Sequence, residues 1–140
     1  MNRENFLYDI VDVDNGSLQY THYGEGQFYK WHQDSDLVSF IIPQIRYNSG
    51  DNKAQDQNLI AGEYIRKLSF TLQLSEPDEY EGGEFDLEIS GPNAEKRFET
   101  MKMPKGSIVV FPSYMWHRVR PVTSGVRKSL VGWIMGPPFR

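Results

Sequence analysis

The chain has 140 residues, is 39% hydrophobic and carries 8 Phe, 8 Tyr and 3 Trp, enough apolar material for one core, so we expect a single folded domain over residues 1–140. It has no cysteine, which excludes disulfides, thiolate-held metals and cysteine nucleophiles, so any metal must be held by His, Asp or Glu. A net charge of −4 argues against a broad nucleic-acid surface. There is no apolar run of about 18 residues and no secretory leader pattern, so the expected protein also avoids membranes and resides in the cytoplasm.

Turn signals recur at short intervals: Asp14-Asn15-Gly16, Tyr23-Gly24-Glu25-Gly26, Glu81-Gly82-Gly83, Pro104-Lys105-Gly106 and Ser124-Gly125. The stretches between them, at 17–23, 27–32, 68–74, 84–89, 107–111, 117–121 and 128–134, have strand chemistry. Asn15-Gly16-Ser17 predicts a type I′ turn. The long stretch 43–63 is polar and aperiodic and reads as a lid or binding loop, with a short helix near 52–61.

Alternation is clearest at 68–74, where Leu68, Phe70, Leu72 and Leu74 share the face expected to be core. Ser69, Thr71 and Gln73 share the other, which faces either solvent or a wet internal site. In 84–89 the carboxylates alternate with apolar residues and are expected to face water. Ile108-Val109-Val110-Phe111 is apolar on both sides, as a strand inside a sandwich would be. Seven or eight such strands predict an all-β double-sheet jelly roll or a related barrel, with little helix.

Two of the three histidines have informative neighbours. In Trp31-His32-Gln33-Asp34 the imidazole and carboxylate are two apart, so on a strand they project from one face. His117 follows a buried strand and a turn, where this architecture can return beside the early strands. Two imidazoles and one carboxylate form the facial ligand set of non-haem Fe(II) oxygenases, although Mn(II) and Zn(II) also suit such donors. After His117 the chain forms a strand, a turn and a return strand on which Arg127, Ser129, Val131 and Trp133 share a face. A guanidinium there suits either a carboxylate ligand or a surface ion pair. Trp31 and Trp116 precede the two histidines and are expected to turn away from the metal as packing residues. His22 is expected on the face opposite Tyr23, and Asp36 is a less well spaced alternative to Asp34.

The segment from Tyr23 to Asp34 fits the pattern Y-x-x-G-x-x-Y-x-x-H-x-D at every fixed position, and His117 to Arg127 fits H-x-V-x-P-V-x-x-G-x-R. In this ordered combination, with the turn Tyr80-Glu81-Gly82-Gly83-Glu84 between them, the chain resembles the prolyl 4-hydroxylase-like 2-oxoglutarate and Fe(II)-dependent dioxygenases over most of its length. The resemblance implies a double-stranded β-helix in which His32, Asp34 and His117 bind Fe(II) and Arg127 pairs with the distal carboxylate of 2-oxoglutarate. It also implies that Tyr23 and Tyr29 face the co-substrate pocket, that Ser129 and Gln73 add hydrogen bonds to the same carboxylate, with Ser69 and Thr71 on that wall, and that Trp133 lies near the substrate. The resemblance further implies O₂ as the second co-substrate, with ascorbate as an accessory reductant. The implied reaction hydroxylates an unactivated C–H, foremost a prolyl residue in a peptide or protein, and releases succinate and CO₂. The alternatives are a free amino acid or other small metabolite as substrate, or a jelly roll that only binds a ligand. Relatives usually carry helices before the first strand that cover the larger sheet, so self-association or a partner is expected to cover that face here.

Overall fold

The computed structural model describes residues 4, 6–35, 64–89, 93 and 95–137. The expected loop at 43–63, its helix and Asp36 lie outside them. The strands in chain order are β1 (Asp12–Val13), β2 (Gln19–Tyr23), β3 (Tyr29–His32), β4 (Ile65–Gln73), β5 (Tyr80–Gly82), β6 (Phe85–Glu88), β7 (Phe98–Met101), β8 (Ile108–Pro112), β9 (His117–Val119), β10 (Val122–Gly125) and β11 (Arg127–Gly136). Every pairing among them is antiparallel.

The long strands β4 and β11 pair from Ile65 and Gly136 to Gln73 and Ser129 and form the centre of the larger sheet. β8 flanks β4, while β1 and β2 pair with β11. A four-stranded sheet in the order β3-β9-β6-β7 packs against it, with Phe85 of β6 at 5.6 Å from Phe111 of β8 and Phe111 at 4.7 Å from His117 of β9. This is the expected jelly-roll architecture. No helix among the described residues is long and apolar enough to cross a membrane.

The short pair β5-β10 closes one end and depends on two glycines. Gly82 and Gly125 have φ of +70° and +75°, and a Cβ on them would lie 2.2 Å from the Pro121 carbonyl oxygen and 2.1 Å from that of Glu79. Only a residue without a side chain permits both that backbone conformation and that approach.

Several local expectations are corrected. Residues Asn15–Ser17 form a 3₁₀ turn rather than a type I′ hairpin turn, since β1 and β2 both pair with β11 instead of with each other. β8 is an edge strand with Ile108 49% exposed, so its apolar run is not enclosed on both faces. On β4 the polar side is the more enclosed one: Ser69 and Gln73 are buried while Phe70 and Leu72 are only half-buried. Asp86, expected to face water, is fully buried beneath Arg118 and Arg120. Short strands at β1, β5, β7 and β10 fall outside the predicted stretches.

The buried polar set includes Ser69, Gln73, Ser113, His117, Arg127 and Ser129, most of them on the inward faces of β4, β9 and β11. Burying polar groups is unfavourable unless they are hydrogen-bonded, so their concentration marks a lined site rather than ordinary core.

Candidate functional site

The site starts from strand register. His32, the last residue of β3, lies directly opposite His117, the first of β9, and the two rings approach with centroids 4.1 Å apart. Asp34 follows two residues later, its backbone N–H and that of Ser35 donating to the Ser113 carbonyl at 3.0 and 3.1 Å. Its Oδ1 lies 3.5 Å from His32 Nε2 and 3.4 Å from His117 Nε2, and one donor atom from each residue falls within 4.8 Å of the others.

The outer nitrogens of both imidazoles are engaged: His32 Nδ1 is 2.8 Å from the Lys30 carbonyl and His117 Nδ1 is 2.9 Å from that of Met115. A carbonyl only accepts, so each Nδ1 carries a proton and each Nε2 is left facing the carboxylate, where a metal would sit. Metal–donor bonds of about 2.1 Å at right angles would place neighbouring donors roughly 3 Å apart, close to the 3.5 and 3.4 Å found here. The donor set therefore fits a divalent metal with N and O preference.

Burial alone would raise the Asp34 carboxyl, but His117, His32 and the Ser69 hydroxyl outweigh it and hold the group well below the usual carboxylate range. Ser69 Oγ donates to Asp34 Oδ2 at 2.5 Å and lies 2.9 Å from Ser113 Oγ. Phe111 and Phe85 flank His117, and the Tyr29 ring lies 3.9 Å from that of His32.

A cavity of about 250 Å³ opens from this cluster between the two sheets. His32, Asp34, His117, Arg127, Tyr23, Tyr29, Ser129 and Trp133 all line it, and Thr71 joins them. Gln73 instead lines a smaller neighbouring cavity, together with Arg127 and Tyr80. Trp31 packs edge-on against Phe98 beneath Arg118, and Trp116 is 43% exposed, so both lie outside the cavity. His22 is exposed and absent from the lining.

Arg127 is 4% exposed and pairs with no carboxylate among the described residues. One guanidinium nitrogen donates to Ser129 Oγ at 3.1 Å, that hydroxyl lies 2.5 Å from Thr21 Oγ1, and Arg127 Nε has no partner. Burial pulls the guanidinium's pKa down, with Tyr80 and Tyr23 acting against it. Burial likewise raises the Tyr23 phenol, which Arg127 partly offsets.

Sequence reasoning missed Arg66, whose guanidinium stacks 3.7 Å over the Trp133 ring at the cavity wall, and Thr21 beside Ser129. Thr21 shares the alternation of Tyr23 and could have been found from it. Arg66 sits beside a register shift between Ile134 and Met135, which strand periodicity does not predict.

The sequence profile of the 2OG-Fe(II) oxygenase superfamily matches residues 18–135. A PKHD-type hydroxylase of Hyphomonas neptunium is 38% identical over 111 residues, 79% of this chain and 39% of its own length. One of Stenotrophomonas maltophilia is 47% identical over 78 residues, covering 55% of this chain and 32% of its own. The chain thus spans about two fifths or less of the length of these curated relatives. A Pseudomonas putida prolyl-4-hydroxylase structure superposes with a TM-score of 0.59 at 24% identity, over 95% of this chain and 57% of that one. The viral collagen prolyl hydroxylase of Paramecium Bursaria Chlorella virus-1, in its 2OG complex, gives 0.53 at 22%, over 85% and 57%. With the profile match over most of its length and the prolyl 4-hydroxylase fold, the chain belongs to the 2OG-Fe(II) oxygenase superfamily.

Proposed function

We propose that this chain is the catalytic domain of an Fe(II)- and 2-oxoglutarate-dependent dioxygenase that hydroxylates an unactivated C–H of a prolyl residue in a peptide or protein. The observation that carries the reading is Arg127: a buried guanidinium without a carboxylate among the described residues, in the same cavity as the His32, Asp34 and His117 cluster. A buried unpaired charge is costly, so the cavity favours an anionic ligand whose other end reaches the metal donors.

His32 and His117 through Nε2 and Asp34 through a carboxylate oxygen would hold Fe(II). When bound, Fe(II) with 2-oxoglutarate and O₂ supplies oxidative decarboxylation, giving succinate and CO₂ as the substrate gains a hydroxyl. Ser69 keeps Asp34 oriented and anionic. Arg127 and Ser129 fix the distal carboxylate of the co-substrate, and Tyr23 and Tyr29 wall its pocket. Phe85 and Phe111 limit water on the His117 side, while Trp133 presents an aromatic wall to the substrate.

The test is succinate release and mass spectrometry with Fe(II), 2-oxoglutarate and ascorbate, offering a proline-containing peptide library and, separately, free amino acids. The expected result is peptide-dependent succinate release with a gain of one oxygen on proline. Turnover only with free amino acids would move the substrate to a small metabolite.

A further inference from the structure

The strand β8 forms one edge of the larger sheet, and among the described residues no strand pairs with it on the side away from β4. The Gln73 N–H donates to the Ser107 carbonyl at 2.9 Å and the Ser113 N–H to the Lys67 carbonyl at 3.0 Å, which fixes the phase of the β4–β8 ladder. In an antiparallel pair the bonded positions alternate, so Val109 and Phe111, opposite Thr71 and Ser69, also bond to β4, whereas Ile108 and Val110 turn both N–H and C=O outward. The next outward position, Pro112, has no N–H, and its carbonyl accepts from the Met115 N–H at 3.0 Å. The open edge is therefore the backbone of Ile108 and Val110, where the Ile108 side chain is 49% exposed. Edge strands are usually protected by a charge, a proline or a bulge within the strand. Every other terminal strand of the two larger sheets carries an ionisable side chain: Asp12 on β1, His22 on β2, Lys30 on β3 and Glu99 on β7. Residues 108–111 carry none, and their register with β4 runs without a shift.

We propose that β8 is an interface for a second copy of this chain, paired antiparallel edge to edge about a two-fold axis beside Val109. That axis sets Ile108 opposite Val110 of the second copy, and Val110 opposite Ile108 of the second copy, each pair exchanging both N–H···O bonds. The edge is thus complementary to itself in this register. On the outer face of the sheet the apolar row Tyr20, Leu130, Leu72 and Ile108 reaches this edge, and pairing carries it on to Val110 of the second copy. Because the pairing uses the outward groups of both strands, the assembly closes as a dimer. The seam also braces the back of the site: β8 sets Phe111 against His117 and leads into Ser113, whose carbonyl holds the Asp34 backbone.

Amide hydrogen exchange on the full chain, with sedimentation equilibrium on the same samples, tests the proposal. The Ile108 and Val110 amides are expected to be protected in concentrated protein and to exchange at least about tenfold faster once dilution yields monomer, while those of Val109 and Phe111 stay protected throughout. Val110→Pro removes an outward N–H without touching a bond to β4, and should weaken dimerisation at least about tenfold. Should that variant not fold, Ile108→Lys, which sets a charge on the seam, is expected to give the same loss. A monomer at every concentration would overturn the proposal, as would a mass above that of a dimer. Association that leaves the Ile108 and Val110 amides unprotected, or that survives both substitutions unchanged, would overturn it as well, since the contact would then lie on the sheet face.

Discussion

Arg127 is a buried cation whose guanidinium donates to one protein hydroxyl, that of Ser129, and pairs with no carboxylate among the described residues. Arg127→Ala should therefore raise the dissociation constant for 2-oxoglutarate at least about 30-fold and leave Fe(II) affinity nearly unchanged, as paired calorimetric titrations would show. A parallel fall in metal affinity would contradict the separation of the two roles. Most of the site was legible at this scale because its signals are local. His32 and Asp34 are two apart, Arg127 and Ser129 likewise, and alternation alone puts each pair on one face. Tyr80 was not legible in this way. It lines the smaller cavity with Gln73 and Arg127, which come from other strands, and the pairing that brings it there needs a glycine at 125, where a Cβ would lie 2.1 Å from the Glu79 carbonyl oxygen.

Between elements, the ligand strands are tied together on their outer side. The registers put Asp86 of β6 opposite Arg118 of β9 and Thr100 of β7. Arg118 Nε and Arg120 Nε donate to Asp86 Oδ2 at 2.7 and 2.8 Å, and Thr100 to Oδ1 at 2.7 Å. Arg118 also lies 4.7 Å over Trp31, next to His32 in sequence, as Arg118 is next to His117. Burial would raise the Asp86 carboxyl, but Arg120, Thr100 and Arg118 together depress it below its unfolded value of about 3.9. With a depressed folded pKa, the stabilisation is complete above the unfolded value and is lost as pH falls through the folded one. Asp86→Asn should then cost about 1–3 kcal/mol near pH 7, and the difference from wild type should shrink progressively below about pH 4, as denaturant melts across that range would record. A difference independent of pH would contradict the account. Alternation misplaced Asp86 because it reports which residues share a face, not whether arginines and aromatics from neighbouring strands cover it.

At the scale of the molecule, the jelly-roll class followed from the number and shortness of the strands, whereas sheet order did not, being fixed by pairings as distant as Asp12 with Met135. Tyr20, Leu130, Leu72 and Ile108 lie in register across the larger sheet on the face away from the cavity, with Tyr20 60% and Ile108 49% exposed. A flat apolar row of this kind favours association, so sedimentation equilibrium should show concentration-dependent self-association that Tyr20→Ser with Ile108→Ser weakens. A monomer at every concentration would contradict it. The central claim, a metal and a 2-oxo acid bound together in one cavity, is tested most directly by anaerobic titration of the metal-free protein with Fe(II) and then 2-oxoglutarate. The account predicts a visible charge-transfer band that requires both additions and is lost in a His117→Ala protein whose folding is verified by circular dichroism. Folded wild-type protein without such a band, or a His117→Ala protein that keeps it, would contradict the account.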